Sequence, residues 1–225
     1  MHHEGPQQTQ DWETPPPGWL DILAGVLFSP RATFERAAQQ PPLGLGVLVL
    51  VLVYLVNSVV QIRGVTGSLA GDLTGIPEMP GFALDPGALA GPVMLFMLVA
   101  GGLIAFTTIA LIHLGAGLLG GTGHGRAMTA LAGLAFLPVA LEAPVTLLAE
   151  AGVRGLWPAS LAIYLWNAYL LYRAVRAVHR LPRWRAVAAL LTPFVMLLLA
   201  LVPALYLFGA VFVEVLQQFG DLPLP

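Results

Sequence analysis

Four glycines in six positions, Gly120, Gly121, Gly123 and Gly125, run directly into Arg126. Backbone amides freed by glycine and followed by a helix are the materials of a phosphate-binding loop. Spacing tests that idea. A Walker A loop reads G-x-x-x-x-G-K-[ST] after a strand, whereas Gly120 to Ala127 read GGTGHGRA, with Arg126 at the lysine position and Ala127 in place of the magnesium-binding hydroxyl. The dinucleotide fingerprint G-x-G-x-x-G also fails, because counting from Gly121 and Gly123 its last glycine falls on Arg126. What precedes is a long apolar run and not a strand. The stretch therefore reads as a tight turn that reverses the chain, leaving Arg126 and nearby amides available to a lipid phosphate.

Other chemistry is sparse. There are no cysteines, which excludes disulfides, thiolate zinc sites and thiol nucleophiles. H-E-x-x-H and G-x-S-x-G are absent. No catalytic, cofactor-binding or metal-binding residue is assigned, and neither a cofactor nor an enzymatic activity is expected. Asn57, Gln61, His113, Glu142, Asn167 and Glu214 interrupt apolar sequence. Polar groups in hydrocarbon usually turn inward and pair. At ~1.5 Å per helical residue, Asn57, Glu142 and Asn167 fall at similar depths, which makes them a candidate intramembrane polar cluster. Gln61 is a weaker candidate, and so is His113, which falls nearer the opposite face. The cluster has two main readings, with catalysis a remote third. Amides and a protonated carboxyl could hold helices together, or Glu142, between Pro138 and Pro144, could line a path for an ion, a proton or a lipid headgroup.

The elements that would position these groups follow from hydropathy. The 225 residues are 57% hydrophobic and 10% charged, against roughly a quarter charged in soluble domains. Residues 1–18 are polar and proline-rich and read as a disordered cytoplasmic tail with no cleavable signal. Residues 19–40 recur apolar at helical spacing and predict an interfacial amphipathic segment, with Ser29 as N-cap and Pro30 as the first residue of a second short helix. Residues 41–225 hold five apolar stretches, at about 43–62, 88–119, 127–149, 156–175 and 187–216. Each is near or above the ~20 residues that cross a bilayer core. The expected fold is an all-α, five-helix transmembrane bundle. The connection from Arg63 to Gly87 is expected to be irregular. All ten basic residues are arginine. An N-terminus in the cytoplasm puts eight of the ten inside and only Arg63 and Arg154 outside, so the positive-inside rule favours N-in and C-out. A net charge of −2 gives no reason to expect nucleic-acid binding.

Taken in order, the landmarks resemble a known family. A cytoplasmic F-x-x-P-x-x-x-F element is approximated by Leu27 to Phe34, LFSPRATF, and a glycine-rich turn before a proline-containing third span is approximated by LLGGTGHGRAMTALAGLAFLP. The chain resembles the prokaryotic branch of the Yip1 family over roughly residues 19–215. That resemblance implies the architecture of a multi-pass membrane protein more than an activity. The leading expectation is a non-enzymatic protein of the bacterial inner membrane acting in membrane organisation or partner binding, in contact with the lipid bilayer and through homo-oligomeric or other membrane-protein contacts. Eukaryotic relatives bind Rab GTPases, but their D-L-Y-G-P stretch has no counterpart here, where the nearest region reads DWETPPPG. No functional residue is carried over from the family. The competing expectation is a small transporter or channel component with a polar path near Glu142.

Overall fold

The computed structural model describes residues 18–73 and 86–220. The expected tail therefore lies, apart from Gly18, outside the described residues. Among the described residues every regular element is helical: α1 Trp19–Phe28, α2 Pro30–Ala37, α3 Leu43–Leu73, α4 Pro86–Leu118, α5 Gly125–Ala135, a 3-10 segment Leu137–Leu141, α6 Glu142–Glu150, α7 Trp157–His179 and α8 Arg183–Gly220. The chain is an all-α polytopic membrane protein. Four stretches, Leu43–Ser68, Gly87–Leu118, Gly125–Glu150 and Arg183–Val215, are long and apolar enough to cross a membrane. Helix α7 has 23 residues, enough length for a crossing. Asn167, its tyrosines, Arg173 and Arg176 dilute its apolar character.

The short helix α5 is the axis. From Ala127 to Ala135 every residue is buried except Thr129, which is half-buried. It packs on α3, α4 and α7. Small residues make this approach close enough for backbones to touch: a Cβ on Gly46 of α3 would collide with the backbone of Ala130, and one on Gly133 with the backbone of Gly46. Membrane helices associate largely through such contacts, because apolar surface gains nothing by leaving lipid for protein. Two glycines of the second span are used the same way, Gly101 against the Tyr54 ring and Gly115 against Thr192 of α8. Gly91, Gly102 and Gly117 of α4 face open space.

Helices α1 and α2 fold into a hairpin that crosses at Gly25 and Thr33. Val26 and Phe34 are fully buried, while Trp19, Leu20 and Phe28 stay exposed. Pro30 opens α2 as expected. Ser29 occupies the N-cap position, yet its hydroxyl makes no capping bond; its carbonyl instead accepts a 3.0 Å hydrogen bond from the Thr33 hydroxyl.

Helices α3 and α7 run past the C-terminal ends of their predicted spans, and α8 outruns 187–216 at both ends. Helix α3 continues to Leu73, into the segment expected to be irregular. Residues 63–73 contain no proline, and Thr66 and Ser68 donate hydroxyl bonds to the carbonyls of Ile62 and Val65 on the same helix. Residues 74–85 lie outside the described residues. Helix α7 continues through its arginines to His179 and ends at Arg180 with φ 54°, the left-handed conformation that closes many helices. Pro182 then prevents an early restart.

Candidate intramembrane polar site

The third apolar stretch does not cross as one helix. Pro138 lacks an N–H and enters the 3-10 segment between α5 and α6. The switch in hydrogen-bond register frees a carbonyl. Val139 N–H donates to Phe136 at 2.9 Å, so the Ala135 carbonyl, which an unbroken α-helix would pair with Val139, has lost its helical donor. Asn167 of α7 donates its amide to that carbonyl at 2.9 Å. Asn57 of α3 donates to the Val139 carbonyl at 3.2 Å and to its own Val53 carbonyl at 2.8 Å. Two asparagines on different helices thus help close the backbone that the break opens, as a bilayer requires of irregular structure.

Glu142, the first residue of α6, accepts a 3.1 Å hydrogen bond from the Ser160 hydroxyl on Oε2. Its Oε1 is buried and has no hydrogen-bond partner among the described residues. A cavity of about 540 Å³ is lined by Asn57, Gln61, Glu142 and Asn167 together with Tyr54 and Tyr164. The predicted trio therefore shares one cavity, although the asparagine amides bond backbone carbonyls and not the Glu142 carboxylate. Gln61 belongs to the same wall. Glu214 lies far along α8, exposed.

His113 belongs elsewhere. Its Nδ1 lies 3.0 Å from Nε2 of His179, and the two rings are 4.9 Å apart. Gly123 N–H donates to His179 Nδ1 at 3.3 Å, so in the neutral ring the proton sits on Nε2 and is donated to His113. His179 is buried. This pair sits against the glycine-rich turn. A Cβ on Gly121 would lie 2.7 Å from His179 Nδ1, and one on Gly123 would lie 2.5 Å from Val178 Cγ1; Gly120 adopts φ +90°. The glycines are needed for contact with the end of α7. Among the described residues no three of His, Cys, Asp and Glu gather closely enough to hold a metal ion.

His179 was not singled out by the sequence, because it sits in the arginine-rich stretch YRAVRAVHRLPRWR, where a histidine reads as one more solvated basic residue. Arg126 is exposed at the start of α5, on the rim of a second cavity.

A bundle of apolar helices around a discontinuous central segment, with asparagines closing its backbone, defines a polytopic membrane protein. A family model described as the Yip1 domain matches residues 24–205, and the chain belongs to the Yip1 family. No curated protein and no solved structure matches it.

Proposed function

We propose that this chain is a non-enzymatic protein of the bacterial inner membrane that works by binding other membrane-embedded helices, in the first instance those of a second copy of itself. In this reading α7 is a fifth crossing, the N-terminus is cytoplasmic, the C-terminus is outside, and residues 19–40 lie along the inner interface. The observation that carries it is α8. From Phe194 to Val215 every described side chain but Gly209 is exposed, and none of the apolar window of this helix is buried in the protein. A bundle that served only itself would fold such a helix against its neighbours. Pro193 and Pro203 lie within it, which suits a segment whose backbone is completed by a partner.

Because there are no native cysteines, single cysteines at Val202, Phe208 and Val211 report contacts cleanly. Crosslinking in native membranes is expected to give a homodimer at some of these positions and not others. A clean monomer at all of them overturns the self-association.

The polar cavity favours a second reading, passage of a proton or small ion past Glu142, whose Oε1 is buried without a partner among the described residues. Glu142→Gln in liposomes is then expected to abolish a flux seen with the unaltered protein. No flux of protons or alkali ions in the unaltered protein removes this reading.

A further inference from the structure

Four arginines converge on one cavity. It has a volume of about 830 Å³ and is bounded by the end of α2, the glycine-rich turn, the start of α5 and the last turns of α7. Arg173 and Arg176 lie at i and i+3 on one face of α7, Arg180 caps that helix in the left-handed conformation, and Arg126 at the start of α5 lines the same cavity. One carboxylate offsets this charge: Glu35 lies 3.6 Å from Arg173 and 3.1 Å from Arg31. Arg176 is held by its own helix, with Nη1 bonding the Tyr172 hydroxyl at 3.4 Å and the guanidinium over the Tyr172 ring. The Nε atoms of Arg173 and Arg176 are buried and lack hydrogen-bond partners among the described residues.

A second set of donors points the same way. Helix α5 has no side-chain cap, and the first N–H to bond back is that of Met128, to the His124 carbonyl at 3.0 Å. The amides of residues 125–127 therefore have no acceptor within the helix, and the positive end of its dipole meets the arginine wall. A positive-inside preference accounts for arginines on this side of the membrane. It does not account for their convergence on one cavity, nor for two buried Nε donors left unpaired among the described residues.

We infer that this cavity binds a phosphate group, either the headgroup phosphate of an anionic lipid or a free phosphate. A carboxylate offers acceptors in one plane and a single charge, whereas a tetrahedral phosphate meets donors from opposite walls and balances more than one guanidinium.

The test uses the full chain in a neutral detergent, with dioctanoyl phosphatidate, dioctanoyl phosphatidylcholine and inorganic phosphate as probes and native mass spectrometry and thermal shift as readouts. The phosphatidate is expected to bind. Arg173→Gln combined with Arg176→Gln should weaken it at least tenfold, whereas Arg154→Gln, outside the cavity, should not. Arg126→Gln, at an exposed position that folding does not depend on, should weaken it severalfold. Binding of phosphatidate without inorganic phosphate assigns the site to a lipid headgroup; competition by inorganic phosphate assigns it to the free anion. The inference is overturned by equal binding of phosphatidylcholine, by binding of neither phosphate probe, or by unchanged binding in Arg126→Gln.

Discussion

At the scale of single residues, the Asn57 and Asn167 amides close backbone carbonyls at the break that follows α5. Asn57, Glu142 and Asn167 stand out because each interrupts an apolar run. That the two amides bond the carbonyls of Val139 and Ala135 follows from the 3-10 register after Pro138, which no property of the asparagines reports. Asn167→Ala leaves the Ala135 carbonyl unpaired and should cost about 1–2 kcal/mol, measured by unfolding of the detergent-solubilised protein; an unaltered midpoint would remove the role assigned here. Asn57→Ala should cost less, since Val139 also accepts from the Glu142 N–H.

Among the elements, hydropathy located the apolar cores of the helices better than their ends. Helices α3 and α7 run on past their predicted spans because helix formation needs only permissive sequence and satisfied backbone, neither of which stops at the edge of the hydrocarbon. The interior of the third apolar stretch was legible as interrupted, from Pro138 and Pro144. Its burial as the axis of the bundle was not, since α5 is apolar like its neighbours. The crossing of α3 and α5 depends on two glycines whose Cβ positions are already filled by backbone. Gly46→Val and Gly133→Val should each destabilise the fold by about 3 kcal/mol. Gly44→Val, whose added Cβ meets nothing, serves as the control and should stay within about 0.5 kcal/mol. Thermal denaturation of the three purified variants decides it, and equal midpoints would contradict the close approach.

Across the whole molecule, the elements expected on the cytoplasmic side come together around the arginine-lined cavity: the end of α2, the glycine-rich turn and the last turns of α7. The proposed topology can be checked separately from any binding activity. A cysteine introduced at Thr122 should react with an impermeant thiol reagent only in inverted vesicles, and one at Arg154 only in right-side-out cells. The reverse pattern would invert the orientation, and labelling of both from one side would change the number of crossings.

By itself the sequence determined that the chain lies in a membrane, that it is helical, roughly where each apolar stretch runs, and which family its landmarks resemble. Hydropathy and proline or glycine punctuation are local sums along the chain, so they can be read without knowing any contact. Only the tertiary structure decided which faces meet. His113 and His179 touch across 66 positions of sequence, Arg126 comes to face Arg173 and Arg176, and the glycines of GGTGHG press on the end of α7. Those pairings depend on the rotation and depth of one helix against another. Lipid-facing and protein-facing surfaces are both apolar here, so the pattern of side chains along each helix carries little record of either.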